Sequence, residues 1–112
     1  MTRVNTGVAF EYKMRDYFKA LGFEVMRAAG SKGAMDLLAW KGEQVIAMQC
    51  KKETKKKSYK EDWKRLLKKP MPKEWIRQLW IKRGEDVFCQ GTNCDELHFK
   101  IKDINKVIKA LQ

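Results

Sequence analysis

The sequence predicts an α/β (α+β) domain: a mixed β-sheet flanked by helices. Three observations carry that expectation. Helical spacing of apolar residues opens the chain and returns after residue 58. Between them lie apolar runs of strand length that fill both faces, as in strands covered on both sides. At 112 residues there is room for one hydrophobic core, so residues 1–112 are expected to form a single domain.

From about Gly7 to Leu21, Val8, Met14, Tyr17, Phe18 and Leu21 recur at three- and four-residue spacing, and Gly22 stands at the stop. Residues Phe23 to Ala28 read as a first strand, and the loop from Ala29 to Gly33 has two glycines. Two further strands run from about Ala34 to Trp40 and from Gln44 to Lys51. A type II′ turn at Gly42-Glu43 joins them, with glycine at the first central position. That turn pairs Lys41 with Gln44 and, by the same sum, Asp36 with Gln49. Directly paired residues share a face, as do positions i and i+2. Asp36, Gln49 and Lys51 are therefore expected to converge on one side of one sheet edge.

Ser58-Tyr59-Lys60-Glu61 has capping-box form, followed by a stripe of Trp63, Leu66 and Leu67. Pro70 and Pro72 end this second helix. Lys73 to about Lys82 reads as a short third helix carrying Trp75, Ile76, Leu79 and Trp80. Asp86 to Gln90 and Glu96 to Ile101 read as a second hairpin across Gly91-Thr92-Asn93. Asp103 is placed to cap a last helix bearing Ile104, Val107, Ile108 and Leu111. The expected order is αβββααββα.

The hydrophobic fraction of 44% against 35% charged residues describes a foldable chain rather than a disordered one. No apolar run approaches the ~18 residues that span a bilayer, and the start lacks a secretory signal. The expectation is a cytoplasmic, intracellular protein, of cell or virus, with no membrane partner. Three cysteines are too few for a disulfide framework. Cys89, Cys94 and His98 form a string with three zinc-type donors and no fourth, so the cysteines read better as small strand hydrophobes.

Charge is more telling. The chain has 25 Lys and Arg against 14 acids, net +11. From Lys51 to Lys73 there are 11 basic and 3 acidic residues, so +8 of that net sits in one segment. A concentrated basic segment beside a near-neutral body is the footprint of a polyanion binder. Lys52, Lys55, Lys56, Lys57, Lys60, Lys64 and Arg65 are the candidate phosphate contacts. Such contacts give affinity without sequence information. No base-reading helix stands out, so recognition of the polyanion's shape rather than of a sequence is expected.

Metal-dependent phosphodiester hydrolysis needs oxygen ligands for a hard cation such as Mg²⁺, for which Mn²⁺ substitutes, and a cation beside the nucleophile. Asp36 offers a carboxylate, Gln49 an amide oxygen and Cys50 a backbone carbonyl. Lys51 is the cation that orients water or stabilises developing charge, and Glu11 on the first helix completes the site directly or through water.

Asp36, twelve intervening residues, then Gln49-Cys50-Lys51 resembles the PD-(D/E)xK nuclease motif. Residues 7 to 52 resemble, more narrowly, the archaeal-type Holliday junction resolvases: Gly7-x-x-x-Glu11 opening a helix, Gly22-Phe23 before a strand ending in Arg27, a loop with Ser31, then the Asp36 and Gln49-Cys50-Lys51 strands. The resemblance implies a restriction-endonuclease-like fold, with Glu11, Asp36 and Gln49 at metal-site positions and Lys51 as the motif lysine. It places Arg27 and Ser31, with Lys32 beside them, against the DNA near the scissile phosphate. It also implies a homodimer that resolves four-way junctions by paired nicks. Met35 stands where the motif has proline, and Gln49 replaces its glutamate. A Gln-x-Lys version occurs in the Mrr-like branch, so two alternatives stand beside junction resolution: a nuclease of that branch acting on duplex or modified DNA, and a catalytically silent DNA-binding module.

Overall fold

The computed structural model describes residues 6–28, 35–53 and 59–111, the side chains of residues 6–8 apart. Along the chain these are α1 (Thr6–Ala20), β1 (Glu24–Arg27), β2 (Leu37–Lys41), β3 (Gln44–Lys52), α2 (Lys60–Lys68), β4 (Ile76–Arg83), β5 (Asp86–Gly91) and β6 (Cys94–Lys100). A 3₁₀ turn, Ile101–Asp103, leads into α3 (Ile104–Ala110). The strands form one sheet in the order β1-β2-β3-β4-β5-β6. Every neighbouring pair is antiparallel except β3 and β4, which run parallel. A parallel pair needs a crossover rather than a hairpin, and α2 lies in that connection.

Helices cover both faces of the sheet. Phe10, Met14 and Phe18 of α1, with Ile104 and Ile108 of α3, pack on Leu37, Ile46, Met48 and Trp80. On the opposite face Leu66 of α2 packs on Leu79, Ile81 and Phe88. Because β3 and β4 are covered twice, Ile46 through Cys50 and Gln78 through Ile81 are buried without a break. Trp80 and Phe88 are thus core residues.

The expected third helix is instead strand β4. Ile76, Leu79 and Trp80 satisfy helical spacing only because Leu79-Trp80-Ile81 is a continuous apolar run buried on both faces and shows no period of two. Leu79 packs toward α2 and Trp80 toward α1 and α3, as alternation requires. Three other expectations change in detail. The buried positions of α2 are Asp62 and Leu66, whereas Leu67 is exposed. Ser58 lies outside the described residues, and Tyr59 holds the N-cap position of α2 without a side-chain cap bond. Asp103 stands at the N-cap of α3 but makes no side-chain cap bond either; the N–H of Ile104 donates to the Ile101 carbonyl of the 3₁₀ turn.

The end of α1 follows from Gly22. Its φ of +93° lets the chain reverse with Gly22 N–H donating to Lys19 O at 3.0 Å and Phe23 N–H to Phe18 O at 3.1 Å. Those two bonds make a Schellman cap, and the Phe18 and Phe23 rings meet edge to face at 5.3 Å, supplying its hydrophobic contact. The β2–β3 turn forms as expected: Lys41 pairs with Gln44, and Gly42 alone of the two central residues takes a positive φ, +59°.

Candidate active site

β3 runs on to Lys52, whereas β2 begins only at Leu37, paired with Met48. The last residues of β3 therefore overhang β2, and Asp36 sits at the step. Its N–H donates to Met48 O at 2.7 Å and its carbonyl accepts the Ala28 N–H at 2.8 Å, tying it to both neighbouring strands. Its carboxylate Oδ2 accepts the Cys50 N–H at 2.9 Å. In an extended strand the N–H and C=O of one residue project to the same side. The Cys50 carbonyl thus opens toward Asp36, where β2 has ended. The step lies at strand ends between interior strands, not at the sheet edge expected from the sequence.

Burial pushes the Asp36 carboxyl above its ordinary value of 3.8; the Cys50 N–H opposes this, nearby Glu11 adds to it, and Lys51 and Arg27 oppose it. Three of the residues picked from the sequence, Glu11, Arg27 and Lys51, are thus within electrostatic reach of a fourth, Asp36. Gln49, the next position beyond the Leu37–Met48 pair, is 5% exposed. Its Oε1 is buried with no hydrogen-bond partner among the described residues. A buried carbonyl oxygen without a donor is costly and calls for a donor or a cation.

The charged groups near Asp36 already have partners. Glu11 Oε2 accepts from Arg27 Nη2 at 3.0 Å and from Nε at 3.2 Å. Arg27 also lies over the Tyr12 ring, its guanidinium carbon 4.9 Å from the centroid. Both belong to the α1 side of the sheet, since Arg27 pairs with Leu37. Lys51 points to the other side, where its Nζ donates to Asp62 Oδ1 of α2 at 2.5 Å. Asp62 is 7% exposed and stands 3.8 Å from Arg65. The sequence reading missed Asp62. Its signal was an acid in a basic segment, four residues before Leu66 and so on the same helix face.

Of the remaining candidates, Lys52, Lys60 and Lys64 are exposed, the last two one turn apart on α2. Ser31, Lys32, Lys55, Lys56 and Lys57 lie outside the described residues. Cys89 is buried toward α1, while His98 stacks on Phe88 on the α2 side, so the Cys-Cys-His string does not converge. A concavity of about 770 Å³, with walls including Phe88, His98 and Phe99, contains none of the candidate groups. No group of three His, Cys, Asp or Glu suited to a metal occurs among the described residues. Nor is any described helix long and apolar enough to cross a membrane.

The layout defines a restriction-endonuclease-like α+β fold. A solved structure shares it: Hjc of Archaeoglobus fulgidus, a Holliday junction resolvase from an archaeal hyperthermophile. The two superpose with a TM-score of 0.61 over 88% of this chain and 86% of that one, at 15% identity. The family model for the archaeal Holliday junction resolvase (Hjc) matches residues 2–68, a span that includes α1, the Asp36 step and α2. The chain belongs to that family. A crossover junction endodeoxyribonuclease Hjc of Methanocaldococcus jannaschii is 40% identical over 63 residues, covering 54% of this chain and 47% of that relative. The chain thus aligns with about half the length of this curated relative.

Proposed function

We propose that the protein is a metal-dependent endodeoxyribonuclease that resolves four-way DNA junctions by paired nicks, acting as a homodimer. The observation that carries the reading is the step at Asp36. There a half-buried carboxylate, the orphaned Gln49 oxygen and the outward Cys50 carbonyl stand at adjoining strand positions in a chain of the resolvase family.

These three oxygens fit a hard divalent cation, and Gln49 Oε1 is the group that most needs one. A bound Mg²⁺ or Mn²⁺ would supply an activated water and neutralise charge on the phosphate. Everything else falls to the chain's own side chains. Asp36 is held through its Oδ2 by the Cys50 N–H. Glu11 reaches the site from α1 and is held by Arg27, which exchanges that carboxylate for a DNA phosphate when substrate docks. Lys51, at the strand end opposite Asp62, offers its ammonium to the scissile phosphate or the attacking water. The exposed lysines of α2 and the basic segment around them hold neighbouring phosphates, favouring DNA shape over sequence. Two symmetric nicks require two sites related by a dyad, hence the homodimer.

A second reading rests on Gln49, whose amide carries no charge where the motif has glutamate: a catalytically silent DNA-binding module. One assay separates them. The protein is offered a mobile four-way junction, a linear duplex and single strands with Mg²⁺ or Mn²⁺. Paired nicks near the branch point, reduced roughly 10²-fold or more in Asp36→Ala and Lys51→Ala, are the expected result. Equal cutting of linear duplex transfers the activity to an Mrr-like nuclease, and binding without cutting under either metal establishes the silent module. Gln49→Glu is expected to raise activity at low metal, because a charged ligand replaces a neutral one.

A further inference from the structure

Positive charge also converges outside the segment that dominates the sequence. Lys52 of β3 and Lys82 of β4 are register partners across the parallel pair. With Lys13, Ala9 and Phe10 of α1 they line a small pocket of about 50 Å³. Alternation along β3 puts Lys52 on the α1 side, opposite to Lys51. Like charges in register oppose folding. The strain registers at Lys82, whose ammonium is pushed below its ordinary value by burial and then by Lys52 and Lys13, with Glu85 opposing. Among the described residues no carboxylate forms an ion pair with any of the three lysines. An anion in the pocket would relieve that repulsion. The pocket is too small to enclose a metabolite and lies beside the end of β3, which suits one oxyanion group of a larger molecule.

We infer that Lys13, Lys52 and Lys82 form a phosphate seat on the α1 side of β3, taking a DNA backbone phosphate that neighbours the one offered to Lys51. The strand end then straddles the backbone, with Lys51 on one side and the seat on the other. The assignment rests on the nuclease reading for its polymer, and on the pocket for its chemistry.

Affinity for the four-way junction, measured without metal over a range of salt, tests it. Each phosphate neutralised contributes about 0.9 to the slope of log affinity against log salt. Lys13→Gln with Lys82→Gln is expected to lower that slope by about 1 and weaken binding several-fold. Lys82→Arg is expected to keep it, and Lys109→Gln, exposed on α3, to leave it unmoved. Removing mutual repulsion should leave the double variant melting no lower than wild type. Unchanged slope and affinity in the double variant overturn the seat while leaving the nuclease reading intact. So does saturable binding of inorganic phosphate that the double variant loses without any change in DNA slope, which assigns the pocket to a free anion. A loss of folding that Lys82→Arg shares marks the lysines as structural and also overturns it. Wild-type protein that binds no DNA defeats the nuclease reading itself.

Discussion

At the scale of single residues, the site is a set of compromises around Asp36. Its carboxyl is raised above 3.8 mainly by burial, so the folded chain holds the proton more tightly than the unfolded chain does. Stability therefore falls as pH rises from about 3.8 through the folded value, and above it the ionised carboxylate opposes folding. Asp36→Asn retains an oxygen for the Cys50 N–H. It is expected to melt above wild type at neutral pH, with the gap closing as the pH drops below 3.8. A cation that binds only the folded site raises its stability by mass action. If the proposed site binds it, Mg²⁺ should therefore raise the melting temperature of wild type and move Asp36→Asn far less; equal shifts in both would remove Asp36 from the proposed site. Residue types at this scale were readable in advance: Asp36, Gln49 and Lys51 stand at the ends of apolar runs. Their partners were not. Nothing local to Lys51 names Asp62, eleven positions on, as the carboxylate that holds it, and nothing near Glu11 names Arg27, which reaches it only because β1 lies under α1.

Among the elements, turns and caps were the most legible. Gly42 set the β2–β3 register because a two-residue turn admits one pairing, and that register holds from Lys41–Gln44 to Leu37–Met48. Gly22 set the end of α1 for a similar reason, a backbone angle that other residues adopt only under strain. Replacing it tests the cap. Gly22→Ala forces a Cβ into a left-handed conformation and within 3.4 Å of the Lys41 side chain. The expected loss is about 1–2 kcal/mol, seen as a lower denaturant midpoint with unchanged slope. β4 was the least legible element. A strand covered on both faces carries no alternation, and its apolar residues then fit a helix as well as a strand. Strand identity came from the parallel partner β3, whose ladder runs from Ile46–Ile76 to Lys52–Lys82. α2 was placed correctly and turned nearly so: Trp63 and Leu66 face the sheet, but Leu67 faces out and Asp62 faces in, because Lys51 supplies a charge for a buried acid to meet.

For the whole molecule, the parallel β3–β4 pair sets the layout. It needs α2 as a crossover, which puts a helix on each face and brings the ends of β3 and β4 together beside Asp36. The proposed junction resolution predicts two protomers per junction. Sedimentation of the protein alone should give a dimer, and titration of a four-way junction should saturate at two chains. Paired nicks from a species that stays monomeric on the junction would count against the dimer. Local chemistry by itself determined what short-range physics can specify: the helix stripes, the glycine turns, one hairpin register, the excess of positive charge and the residue types at the step. The tertiary structure alone decided that residues 76–83 are a strand. It also decided that Lys51 meets Asp62, that Gln49 is left with an orphaned oxygen, and that Lys13, Lys52 and Lys82 share one pocket. The reason is physical. Periodicity reports only a difference between two faces, whereas partner choice across a crossover depends on which distant strands pair.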